Sequence, residues 1–229
     1  MNLRNYAVLG LSLLLFGCGQ VTVGDEVKTP NKNYGSTNGG VKVGENSHVG
    51  NMDSVNGGLR LGANSQARDL DTVNGGIKLA EASKIRRAET VNGGISVDRD
   101  VIVERSLETV NGGIVVWPGS QIGGDVSTVN GNIEIHQALV GGDLMTAKGD
   151  IEVDEGSVIK GGISVVQKGW NLSFGDKDSV RVVIGEDSVV EGKLTFKASV
   201  ELFVHETAKI GEVEGAEVQR FSGSSPSMF

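Results

Sequence analysis

Six asparagines recur at nearly constant spacing: Asn38, Asn56, Asn74, Asn92, Asn111 and Asn130, at intervals of 18, 18, 18, 19 and 19 residues. Each side-chain amide carries an acceptor oxygen and two N–H donors. Brought into register, such amides hydrogen-bond along a ladder, as they do in other cross-β stacks. Calcium-binding solenoid repeats place an Asp in a Gly-rich loop. Here the recurrent group is an amide followed by small residues, Asn-Gly-Gly or once Asn-Gly-Asn, with no carboxylate. The asparagines are therefore expected to be structural, with no metal. Three histidines, His48, His136 and His205, could act as general bases, but no orienting partner accompanies any of them in the sequence. Cys18 is the only cysteine, so no disulfide forms within the chain.

The asparagine motif reads TNGG once, VNGG four times and VNGN once, which marks one supersecondary unit copied in series. Inside this period lies a spacing of six, in Val55, Leu61, Ala67, Val73, Leu79, Ile85, Val91, Val97 and Val103. A second apolar residue stands two positions before many of these, as in Ile95-Ser96-Val97 and Val101-Ile102-Val103. Alternation of this kind predicts short strands. Three short faces joined by corners would close one coil of about 18 residues. In one such coil Val91, Ile95 and Val97 are predicted to point inward and Ser96 outward. Asn-Gly-Gly is predicted to supply positive φ at a corner. The fold class is thus all-β: a single-stranded parallel β-solenoid of about ten coils, roughly 45–50 Å long at one strand spacing per coil. Its core would be a column of Val, Ile and Leu. Six Phe, two Tyr, two Trp and three Pro suit a narrow coil whose backbone donates ladder bonds at nearly every residue.

The chain opens as a targeting segment, with Arg4 ahead of an apolar run from Ala7 to Phe16. The run is too short to span a bilayer. Residues 1–17 are read as a signal peptide and 18–35 as a lipidated Cys and polar tether. The solenoid is placed at 36–215 and a flexible tail at 216–229. The net charge is −8, and losing Arg4 with the leader would take it to −9. Without a basic stripe, nucleic acid is not an expected partner. Arg86, Arg87 and Arg99 are read as a solvated face.

The repeat decays after Asn130, though Ala147-Lys148-Gly149-Asp150-Ile151 keeps its place. From Gln167 to Ser179 the pattern breaks, which predicts a loop carrying Trp170 and Phe174. That loop either binds a partner or folds its aromatics over a rung defect. Phe196, Leu202 and Phe203 add bulk to the last coils. They either seal the rod end or make it self-associate, and sealing is the preferred reading, because terminal repeats usually cap an open edge.

Four resemblances follow from these residues. Leu15-Phe16-Gly17-Cys18 resembles the lipobox of bacterial lipoproteins, which implies a lipidated Cys18 and an envelope location. Gly19 after Cys18 points by the same resemblance to the outer membrane. IGEDSVVEGKLTF and HETAKIGEVEGA resemble bactofilins, a polymer-forming cytoskeletal family, and TVNGGI resembles the β-strand-repeat adhesins of bacterial envelopes. Both imply a scaffold or surface role without catalytic residues or cofactors, and they favour right-handed coils. The implied partners are the membrane, through the lipid, and a second copy, an envelope protein or a polysaccharide. Val43-Gly44-Glu45-Asn46-Ser47-His48 and its kin also resemble the hexapeptide repeats of acyltransferases, a less favoured alternative.

Overall fold

The computed structural model describes residues 19–154, 156–166 and 179–223. Within them the chain forms a β-solenoid of about ten turns with no helix. Three parallel sheets run its length. The first has eleven strands, from Val21–Val23 to Val218–Phe221, and the third has ten, from Tyr34–Asn38 to Val213–Glu214. The second holds seven strands from Lys84–Ile85 to Lys209–Ile210, and single bridges through Gln66 link it to Lys28–Thr29 and His48–Val49. One coil runs through Ile77–Leu79, Lys84–Ile85 and Arg87–Asn92 and returns to the first sheet at Ile95–Val97. Identical positions stack: Ile77 pairs with Ile95, Ile95 with Ile114, and Ile114 with Ile133. The column they make is sealed, since Ile77, Ile114 and Ile133 have no exposure and Ile95 has 2 %.

The predicted alternation holds on the first and second faces, where Ile95, Val97, Val101 and Val103 point inward and Ile102 outward. On the third face it is out by one residue. Val55, Val73, Val91 and Val110 are only half-buried and lie on the outside. The inward residues there are pairs such as Leu70 and Thr72, Ala88 and Thr90, and Leu107 and Thr109. A strict spacing of six assumes equal faces, whereas this one is longer, with strands of up to six residues. The inward hydroxyls have a partner. Thr72, Thr90 and Thr109 donate to the carbonyls of Gly57, Gly75 and Gly93 at the corner one coil below, at 2.9, 2.8 and 2.8 Å. A buried hydroxyl is thereby satisfied at each repeat.

The two main corners also divide their roles differently from expectation. Gly57, Gly75, Gly93 and Gly112 have no positive φ. They are glycines because a Cβ at Gly93 would lie 2.2 Å from the carbonyl oxygen of Gly75, and one at Gly112 2.2 Å from that of Gly93. Positive φ falls at the corner between the first and second faces: Asn46, Asn64, Ala82, Asp100, Gln137 and Asp187 have φ between 43° and 57°. A serine follows four of these six. Ser65 Oγ, for one, donates to the Gly44 carbonyl at 2.9 Å and accepts the Ser47 N–H at 2.9 Å.

Both predicted ends of the solenoid need correction. Val21–Val23, Lys28–Thr29 and Tyr34–Asn38 form rungs where a tether was expected, with Val21 and Val23 paired to Val41 and Val43. Val-Thr-Val is an in-out-in triplet, but no Asn-Gly-Gly precedes it. At the other end Val218–Phe221 pairs with Leu202 to His205, inside the expected tail. The predicted loop with Trp170 and Phe174 lies outside the described residues, as does Cys18. The extra chain enters after Ile163–Val165, so Asp150 and Arg181 meet across 31 residues instead of 18 or 19.

Two substitution pairs check this geometry by urea or thermal unfolding. Gly93→Ala should destabilise the rod by about 2 kcal/mol, because its Cβ meets fixed backbone. Gly94→Ala should cost well under half of that, since its nearest atom is 3.0 Å away. Val97→Asn should cost about 3 kcal/mol or more, through lost packing and a buried amide, and Val91→Asn under about 1 kcal/mol. Equal effects at Val91 and Val97 would contradict the third-face register.

Candidate functional site

The amide ladder forms as predicted. Each Nδ2 donates to the Oδ1 one coil below: Asn56 to Asn38 at 3.0 Å, Asn74 to Asn56, Asn92 to Asn74 and Asn111 to Asn92 at 2.9 Å each, and Asn130 to Asn111 at 2.7 Å. The ladder is solvent-facing along most of its length.

Beside it runs a second glycine column, Gly40, Gly58, Gly76, Gly94 and Gly113, which floors a groove of about 620 Å³. These glycines lead straight into first-face strands. Their carbonyls accept the N–H of the next inward residue one coil below, as in Leu59 N–H to Gly76 at 3.0 Å and Ile77 N–H to Gly94 at 2.9 Å. The floor glycines therefore have satisfied carbonyls and no side chains. The outward residues of the first face line the groove in register: Lys42, Arg60, Lys78, Ser96 and Val115. Further along, the same column becomes acidic at Glu134 and Glu152 and apolar at Val183 and Phe203. Lys42, Arg60 and Lys78 are exposed and make no ion pair among the described residues.

The third face carries the opposite charge. Asp53, Asp71, Glu89 and Glu108 stack outward there. Arg86 and Arg87, expected to be merely solvated, tie this face together. Arg86 Nε donates to Asp69 at 2.7 Å, and Arg87 reaches Asp69, Asp71 and Glu89, the first two at 3.5 and 3.2 Å. Burial would raise the Asp69 pKa, but the Arg86 hydrogen bond and the Arg87 charge together outweigh it and hold the carboxyl below its usual value. Asp71 is raised, mainly by burial, and its Oδ1 is buried without a hydrogen-bond partner. Asp53, 8 % exposed, is pushed up to about 6 by burial and then by the charges of Asp71 and Asp69.

The histidines are not brought together. His48 lies on the second face, bridging Lys28 and Gln66. His136 stacks on exposed Trp117 with ring centres 5.0 Å apart, its Nε2 3.9 Å from the Glu134 carboxylate. His205 is buried, with Nδ1 2.9 Å from Thr207 Oγ1 and the Phe221 ring against its edge. Among the described residues no group of His, Cys, Asp and Glu could hold a metal ion. Phe196 and Leu202 are core residues, and Leu202 pairs with Val218 in the next coil. Phe203 faces outward beneath the Arg181 guanidinium, 4.9 Å from its ring centre. All three lie short of the last described coil.

Sequence reading missed the cation column. The signal was present, since Lys42, Arg60 and Lys78 each stand two residues after the second glycine of the motif, 18 apart. Counted locally, three cations over that length do not look like a stripe. Family models, curated proteins and solved structures contain no match to this chain.

The third face should give stability a particular pH dependence. A carboxyl with a raised folded pKa binds its proton more tightly folded than unfolded. The Asp53 contribution is complete below the ordinary 3.8 and is lost as pH rises through about 6. Asp71 acts in the same direction and Asp69 in the opposite one. Asp53→Asn should therefore flatten the urea-unfolding stability profile across this window and add about 1–2 kcal/mol near neutral pH. A variant whose profile is unchanged would show that Asp53 is solvated and charged at neutrality.

Proposed function

We propose that this chain is a non-enzymatic envelope protein, a rigid β-solenoid scaffold or display rod held to a membrane by lipid on Cys18. The observation that carries the reading is the unbroken first sheet of eleven strands. Its inward positions stay aliphatic through coil after coil, while its outward positions change from basic to acidic to apolar. Such a body has a fixed interior and a variable surface, which suits presentation or spacing. The lipobox-like Leu15-Phe16-Gly17-Cys18 supports the anchor, and Gly19 favours the outer membrane. Several acyl chains, each contributing about 0.8 kcal/mol per buried CH₂, would hold it firmly. With its first strand beginning at Val21, the rod would stand directly on the lipid surface.

A second reading, adhesin-like binding of a polysaccharide or partner protein, draws on the unpaired cations along the first-face groove.

Cys18→Ser tests the anchor. The wild type should incorporate labelled palmitate and sediment with membranes, and the variant should do neither. A wild type that takes no label, with a variant that still sediments, would remove the lipoprotein reading.

A further inference from the structure

We propose that the groove beside Lys42, Arg60 and Lys78 binds an extended acidic polysaccharide lying parallel to the rod axis. This deepens the adhesin-like reading by naming a ligand class and a site.

Three features point to a linear polyanion. The cations repeat once per coil, about 4.8 Å apart, so they match a chain with regularly spaced carboxylates better than a compact anion. In-register like charges repel, so this column does not serve the fold. Some cations elsewhere on the rod meet acids: Lys84 is 2.8 Å from Glu104, Lys193 is 2.9 Å from Glu214, and Arg86 and Arg87 bind the third-face acids. Lys42, Arg60 and Lys78 have no such partner among the described residues. The groove they line is long, and its glycine floor lets a chain approach the backbone closely.

The border of the groove favours sugar over other polyanions. The asparagine ladder runs one glycine away, in the order Asn56-Gly57-Gly58. From Asn56 to Asn111, each amide commits one N–H and one oxygen lone pair to its neighbours, which leaves one donor and one acceptor per coil. Sugar hydroxyls donate and accept and so match both. No aromatic side chain lines the groove, whereas single-stranded nucleic acid sites stack bases on aromatics. Strand addition by a peptide needs an open sheet edge, and here the first-sheet strands along the groove are already paired to neighbours on both sides.

The test uses the detergent-solubilised full chain and oligomers of polygalacturonate as probe, with dextran, oligo-dT and polyglutamate as comparisons. Titration calorimetry is run at rising salt. The triple variant Lys42→Ser/Arg60→Ser/Lys78→Ser is set against Lys160→Ser/Lys197→Ser/Lys209→Ser, which removes the same charge from exposed positions elsewhere. The wild type should bind polygalacturonate, more weakly as salt screens the contacts. The groove variant should lose about tenfold in affinity, the scale of three exposed charge contacts, and the control under about twofold. Circular dichroism confirms that both variants are folded. Equal losses in the two variants would overturn the site. Preference for oligo-dT or polyglutamate would overturn the ligand class, and so would binding of dextran alone, which would leave adhesin-like binding standing. Binding of none of the four would overturn this proposal and leave the scaffold reading intact.

Discussion

Everything in this rod depends on how closely one corner can sit on the next. At the Asn-Gly-Gly corner the backbones stack so tightly that a single methyl at Gly93 would overlap the carbonyl of Gly75. That contact sets the register, and the register places Ile over Ile, Thr over Thr and Asn over Asn. Core packing and hydroxyl satisfaction follow from it, because each inward threonine reaches the carbonyl of a corner glycine one coil below. A corner displaced by one residue would turn every inward side chain of the following face outward.

In-register stacking also turns sequence spacing into surface columns. Residues 18 apart become neighbours, so modest local differences in charge become long stripes. The first face collects Lys42, Arg60 and Lys78, and the third collects Asp53, Asp71 and Glu89. The acidic stripe is offset by Arg86 and Arg87, yet Asp53 and Asp71 still keep raised pKa values. The basic stripe has no counterpart among the described residues. One face thus pairs part of its charge internally, and the other leaves its cations exposed.

Much of the fold was legible because the repeat is short and its turn residues are distinctive. The period, the parallel stack, the amide ladder and the inward sides of the first two faces all follow from spacing. What was not legible has physical causes. The third face holds two inward residues before its asparagine, one of them polar, so an apolar count of six settled on the outward valine. The corner glycines serve close approach, which sequence cannot tell from a need for positive φ. The first strands have no asparagine motif ahead of them and so passed for a tether. The cation column escaped because its members meet only after folding, whereas the histidines drew attention by type and proved to sit apart.

The asparagine ladder has a direction. Every Nδ2 points toward the N-terminal end of the rod and every Oδ1 toward the C-terminal end. The amide dipoles therefore add along the column, and a chain of such bonds polarises its members cooperatively. The negative pole falls at Asn130. The residue in register beyond it is Lys148, where the asparagine series stops. A cation at the negative end of an aligned series is the arrangement that helix C-termini use, transposed here from main chain to side chain. The decay of the motif thus gives the column an electrostatically matched end.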